Sequence, residues 1–394
     1  MANGDVMIVA ARRTPIGSFL GALSPLTATD LGGCAIRAVL ADSGIDPASI
    51  DEVLMGCVLP AGLGQAPARQ AAIKGGIPQS VPCTTVNKMC GSGMKTVMLG
   101  FDQIRAGSAN VIVAGGMESM SNAPYLFPDA RRGLRMGNRE CIDHMLYDGL
   151  RDPWEGELMG YYAEHCADRF GFTREQQDTY AAESVRRILK AMDSGGFADE
   201  IVPISVRQKG GEAVVSEDET PRKCDPGKIP SMKPAFRKEG GTVTAANSSS
   251  ISDGAAALLI MGTDVVRLVD ATPVAKILGH STHAQAPGEF TTAPIGAISR
   301  LCRRLGWSRE DVDLYEINEA FAVVTMAAIR ELGLDPDKVN VNGGACALGH
   351  PIGATGARIL VTLVHALRQR GLKRGVAALC IGGGEATAVA IDRG

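Results

Sequence analysis

Several features are missing from this chain of 394 residues, and each absence excludes something. Charge of one sign is not in excess: 40 Lys and Arg against 43 Asp and Glu leave a net charge of −3. With no basic field, nucleic acid and anionic membrane are not expected as partners. No apolar run approaches the roughly 18 residues of a membrane span. The stretch from Met1 to Ala10 lacks a basic segment followed by an apolar one, so no signal peptide is expected and the default compartment is the cytoplasm. The ten cysteines have no paired zinc-type spacing and read as free thiols in a reducing compartment. A complete dinucleotide fingerprint is also missing. Gly62-Leu63-Gly64 begins one, but Pro67 stands where the third glycine belongs, and there is no Walker-type loop.

Aromatic residues are few, at 4%, while glycine is frequent, at 48 residues. That balance suits an α/β protein with tight turns and closely packed helices. The hydrophobic share of 45% and charged share of 21% are those of an ordinary globular protein. The length calls for two or three domains.

An internal repeat organises the chain. Leu31 to Leu40 has helical periodicity, Gly44 stops it, and Ile45, Ile50, Asp51, Val53 and Leu54 follow. Ile298 to Leu305 has the same periodicity, Gly306 stops it, and Trp307, Val312, Asp313, Tyr315 and Glu316 follow at the same spacing. A second pair agrees. The helical pattern Gly93 to Ile104 ends at Gly107, before the apolar run Val111–Ala114 and Gly115-Gly116. The pattern Gly356 to Leu367 ends at Gly371, before Val376–Cys380 and Gly382-Gly383-Gly384. Short doubly buried strands alternating with helices predict mostly parallel sheets, two of them, packed around shared helices. A site is expected in the crevice at the strand C-termini.

We expect an N-terminal α/β half over 1–120, completed by about 248–270, and a C-terminal half over 271–394. Between them, 121–247 reads as an inserted loop or lid domain. It carries a predicted helix from Arg174 to Met192 with Thr173 as N-cap. Its arginines Arg131, Arg132, Arg135 and Arg139 suit a solvated loop or subunit contact, or a ligand phosphate.

Three glycine-flanked segments carry chemistry. Cys90 follows an extended stretch and precedes Gly91-Ser92-Gly93 and a helix. The positive end of a helix dipole can lower a thiol pKa from about 8.5 into the range of about 3.5–7.5. His350 lies in Gly349-His350-Pro351-Ile352-Gly353, where Pro351 interrupts helix propagation, and an imidazole there can take a thiol proton. Cys380 ends an apolar strand before three glycines whose N–H groups can form an oxyanion hole. Asn318, in Asn318-Glu319-Ala320-Phe321, can orient a water or a carbonyl, or simply cap a turn. Taken one at a time, each also fits a structural residue. Together they suit acyl transfer through a thioester.

With Gly115–Ser121 and Gly343–Gly356 added, these motifs span the chain, and the sequence resembles the thiolase family, in particular its biosynthetic acetoacetyl-CoA-forming members. The resemblance implies a layered α/β/α/β/α fold of duplicated halves with an inserted loop domain. It implies acetyl-CoA C-acetyltransferase activity, the reversible Claisen condensation of two acetyl-CoA to acetoacetyl-CoA and CoA. By position, Cys90 is the acylated nucleophile and His350 its activator. Cys380 is the base at the α-carbon, Asn318 holds a water, and the N–H groups of Cys90 and Gly382 form an oxyanion site. Arg222 falls near the adenine of coenzyme A and Ser249 near its pantetheine. Phe236, Leu150, Met159, Ala320 and Phe321 line the tunnel. Coenzyme A is substrate and product, no metal or other cofactor is required, and a homotetramer in lipid metabolism is implied.

Gly288–Pro294, Leu158 and Glu385-Ala386 depart from the family pattern without removing a catalytic residue. Alternatives are a degradative 3-ketoacyl-CoA thiolase with longer substrates, a decarboxylating ketoacyl synthase, which Cys380 disfavours, and a non-catalytic acyl-CoA-binding relative.

Overall fold

The computed structural model describes residues 4–208 and 210–394. Met1–Asn3, part of the stretch read for a signal peptide, lie outside the described residues. The N-terminal half contributes β1 (Val6–Arg13), β2 (Glu52–Gly56), β3 (Cys83–Val86), β4 (Val111–Ser119) and β5 (Ser252–Gly262), with helices α1 (Ala28–Ser43) and α2 (Ser92–Ala106). Between β4 and β5 the chain leaves the sheet for an insertion that includes α3 (Arg174–Asp193). The C-terminal half contributes β6 (Ala275–Ala284), β7 (Leu314–Ile317), β8 (Arg374–Ile381) and β9 (Glu385–Asp392), with α4 (Ala293–Leu305) and α5 (Thr355–Arg370).

The strands follow the order β7-β8-β9-β6-β1-β5-β4-β2-β3. The two halves are mirror images of that order about the β6–β1 junction. The second half completes its edge with a single parallel bridge from Tyr315 to Val339, where the first half has β3. Two expectations need correction. The sheets are mixed rather than mostly parallel: among the described strands only β2 with β3, β2 with β4, and β7 with β8 pair in parallel. Strands buried on both faces carry the same apolar run in either orientation, so composition cannot reveal direction. Nor are the sheets separate, because Val6–Ile8 pairs with Ala275–Ile277 and joins them.

The layers come from three apolar clusters. Met94 and Val97 of α2 meet Ile359, Leu360 and Leu363 of α5 between the two half-sheets. On one outer face α1 and the helix Pro67–Lys74 cover β1, β2 and β4. On the other, α4 and the helix Ala322–Leu332 cover β7, β8 and β9. The five-layer arrangement of duplicated halves is therefore present.

The repeat has a physical basis in both copies. Gly44 and Gly306 end their helices at φ 64° and 67°, a left-handed conformation that favours glycine. Just beyond, Asp51 accepts the N–H groups of Asn110 and Val111, while Asp313 accepts those of Lys373 and Arg374. Each aspartate fixes the entry of the neighbouring strand.

The insertion is held to the sheet by buried charge. Arg13, fully buried on β1, donates to both carboxylate oxygens of Asp218 at 2.7 and 2.8 Å and to Glu200 at 2.5 Å. Asp218, within the acidic run Glu217–Glu219, thus clamps the insertion to β1. Replacing Arg13 with Met leaves two buried carboxylates unpaired. We expect a loss of about 3–5 kcal/mol in chemical denaturation. An unchanged midpoint would remove this anchor from the account. Among the described residues no helix is long and apolar enough to cross a membrane.

Candidate active site

The parallel strands and the central helices deliver the chemistry-bearing residues to one place. β3 ends at Val86 and the chain turns tightly into α2. Within that turn Met89 is left-handed, at φ 46°. The conformation is fixed by Gly91 N–H to the Lys88 carbonyl, Ser92 N–H to the Met89 carbonyl, and Met89 N–H to Oδ1 of Asn87. A non-glycine residue in that region costs energy and persists only where its surroundings hold it. Its effect is to turn the half-buried Cys90 into a cavity of about 380 Å³.

That cavity is lined by Cys90, His350, Cys380 and Gly382 together. Ser249, Phe236, Leu150, Met159, Ala320 and Phe321 line it too. Two predicted residues are not on its wall. Asn318 lies just behind, buried at the end of β7, with both amide atoms lacking a protein partner. Arg222 is on the surface, donating to Asp193 at 2.7 Å and paired with Glu217 at 3.4 Å.

His350 is held from one side. Its Nδ1 lies 2.7 Å from Oγ1 of Thr355, and that hydroxyl donates its own hydrogen to the Pro351 carbonyl at 3.0 Å. The threonine oxygen must therefore accept from Nδ1–H, which leaves Nε2 as the lone-pair nitrogen. Nε2 has no protein partner. Burial, with Arg358 nearby, pushes the imidazole pKa down to about 3, so His350 is neutral and able to accept a proton at any physiological pH. The sequence did not single out Thr355. Its only signal was the fixed spacing to His350 through Pro351.

The thiols depart from expectation. Cys90 does receive N–H groups, from Gly382 and from its own backbone, that favour its thiolate. Burial outweighs them and pushes the thiol up to about 11. The direction is opposite to the lowering expected from the α2 dipole, because desolvation in an apolar pocket exceeds the effect of those backbone N–H groups. Cys380 is also pushed up, by burial and by negative charge on the neighbouring Cys90. Activation must therefore come from a base, and a neutral imidazole shares the cavity.

Residues not anticipated also wall the space. Leu146, Ile352, Met120 and Phe290 make it apolar. Phe290 sits within Gly288–Pro294, the stretch that departs from the family pattern. Glu319, beside Asn318, accepts from Tyr180, Ser184, Asn340 and the Cys346 N–H and so fixes the Asn318 turn. The four arginines at 131–139 are fully solvent-facing and lie outside the cavity.

Family models match the chain over nearly its whole length. The thiolase N-terminal domain matches residues 6–264 and the thiolase C-terminal domain residues 271–393. The chain belongs to the thiolase family. It is therefore an acyltransferase, and the thiolase fold inferred above is shared with solved relatives. Acetyl-CoA acetyltransferase 1 of Arabidopsis thaliana is 50% identical over 98% of this chain and 94% of its own. An acetyl-CoA acetyltransferase of Pseudomonas aeruginosa is 49% identical over 99% of both chains. The structure of a thiolase from Ascaris suum in complex with coenzyme A has a TM-score of 0.94 at 45% identity, covering 99% of this chain and all of that one. The acetyl-CoA acetyltransferase of Syntrophomonas wolfei has a TM-score of 0.96 at 39% identity, covering both chains completely.

Proposed function

We propose that this thiolase is an acetyl-CoA C-acetyltransferase working in two half-reactions at the one cavity. The observation that carries the proposal is the convergence of Cys90, His350, Cys380 and the Gly382 N–H on an apolar space of about 380 Å³.

In the first half-reaction Nε2 of His350 takes the Cys90 proton as sulfur attacks the acetyl carbonyl. The C–S bond to coenzyme A breaks, and His350 returns the proton to the departing thiolate. Cys90 now carries a neutral acetyl thioester. Burial, and any negative charge on Cys90, hold Cys380 protonated. With Cys90 acylated and neutral, Nε2 of His350 takes the Cys380 proton. The Cys380 thiolate then removes an α-proton from a second acetyl-CoA, the carbanion attacks the acetyl carbon on Cys90, the C–S bond to Cys90 breaks to release acetoacetyl-CoA, and the leaving Cys90 sulfur takes the proton held on His350. The N–H groups of Cys90 and Gly382 face one developing oxyanion. His350, once protonated at Nε2, donates to the other together with a water on the unpaired amide of Asn318, whose buried polar atoms require such a partner.

Ser249, Phe236, Leu150, Met159, Ala320 and Phe321 suit the pantetheine and acyl end of coenzyme A, and the bound coenzyme A of the Ascaris relative supports a ligand of that class. Arg222 is proposed for the adenine end, sharing its charge with Asp193 and Glu217. Coenzyme A is substrate and product, and the chemistry asks for no further cofactor. The exposed arm that carries Phe127, Leu134 and Met136 beside the four arginines supports assembly with further copies, as a homotetramer. Thiols that must stay reduced support a cytoplasmic enzyme of lipid metabolism.

The test is thiolysis by coenzyme A of 3-ketoacyl-CoAs of increasing length, from acetoacetyl-CoA upward. Strong preference for acetoacetyl-CoA supports the proposal. Equal or faster cleavage of longer chains makes the enzyme a degradative thiolase, and cleavage of none leaves an acyl-CoA-binding protein.

A further inference from the structure

One deeply buried carboxylate has no part in the steps above. Glu118 lies on β4, fully buried, in a strand with no exposed residue. Carboxylates are rarely placed so deep without partners. Its partners are backbone N–H groups from both halves of the molecule. Oε2 accepts from Val58 and from Gly353, each at 2.9 Å. Oε1 accepts from Leu59 at 3.1 Å and from the Cys57 thiol at 3.7 Å.

Gly353 stands three residues after His350. Its seat is closed on two sides: a Cβ there would come 2.5 Å from Oε2 of Glu118 and 2.7 Å from the Met117 carbonyl. The 57–59 turn reaches the nucleophile in its turn. Asn87 donates to the Val58 carbonyl at 3.4 Å and accepts from Met89 N–H at 3.0 Å. Val58, Leu59 and Ile352 share one apolar cluster with Met89 and Cys90.

We propose that Glu118 is a positioning residue for the acyl transfer: its carboxylate ties the loop bearing His350 to the turn that supports Cys90, and so sets the alignment of base and nucleophile. This rests on the thiolase mechanism given above. A glutamine has the same size but turns one acceptor oxygen into an NH₂ donor. In either orientation that NH₂ faces a backbone N–H, so at least one tie is lost. Misalignment near 1 Å can cost about 100-fold in rate.

The titratable groups facing Glu118 are Cys57 and Cys90. Burial pushes Glu118 itself up to about 7, so in alkaline solution it is charged. A charged Glu118 raises the Cys90 pKa, and a neutral glutamine therefore lowers it.

Two readouts on E118Q test the proposal, with the wild-type enzyme assayed alongside. The kcat for acetoacetyl-CoA thiolysis is expected to fall by about 10- to 100-fold while KM stays within about threefold. Alkylation of Cys90 by iodoacetamide, followed on its peptide, is expected to shift to lower pH although turnover is slower. An unchanged melting temperature separates this from a general loss of stability, since opening the pocket would also lower the thiol pKa. E118D keeps the charge but reaches one methylene less, and its kcat should lie between the two. Wild-type kcat in E118Q, or a fall in kcat with an unmoved alkylation profile, overturns the proposal. If E118Q does not fold, wild-type kcat in E118D overturns it. A wild-type protein that does not cleave acetoacetyl-CoA instead overturns the mechanism on which the proposal rests.

Discussion

Replacing Cys90 with Ser is expected to lower thiolysis of acetoacetyl-CoA by on the order of 10³-fold or more while leaving the melting temperature unchanged. The size follows from the environment. Neutral His350 takes the thiol proton only as sulfur bonds to the carbonyl, since burial disfavours a free thiolate and a free imidazolium alike. It is a far weaker match for an alcohol in the same apolar cavity, and an oxygen ester would then have to be broken at the second step. The fold should be indifferent, because the turn is fixed by backbone hydrogen bonds and by Ser92 and Asn87, with no contribution from the Cys90 side chain. Near-normal turnover in this variant would refute the nucleophile.

The second large effect separates the two half-reactions. Cys380→Ala should still transfer an acetyl group from acetyl-CoA to Cys90, yet condensation should slow by about 10²- to 10⁴-fold, the range for losing a general base. Cys380 is buried at the end of β8 and on the cavity wall, so removing its sulfur leaves Cys90, His350 and Thr355 in place. Acetyl-enzyme formed at the normal rate with no acetoacetyl-CoA released is the expected outcome. Normal condensation would transfer the base role to another group.

How far the sequence foretold this depended on the kind of interaction. The repeat was readable because Gly44 and Gly306, and Asp51 and Asp313, do local jobs at element ends that demand particular residue types. The predicted helix from Arg174 to Met192 was readable for the same reason: Thr173 caps it, with Gln176 reciprocating. Strand direction was not readable, since Leu258 or Ile260 on β5 is buried whichever way its neighbours run. The Cys90 pKa was misjudged because helix-end position is local, whereas the burial that outweighs it is created by residues from distant segments, including Gly382. Arg222 was placed by resemblance alone; its guanidinium pairs with Asp193 and Glu217 at the surface, outside the cavity. Glu118 and Thr355 were passed over because a positioning residue is defined by what it holds, and Gly353 and His350 come near them only after folding.

The most direct test of the central claim is peptide mapping of the wild-type protein after brief incubation with acetyl-CoA and acid quenching. The account predicts one acetyl group per chain, carried as a thioester on the peptide that contains Cys90. Acetylation elsewhere, or none while acetoacetyl-CoA is still being formed, would contradict it.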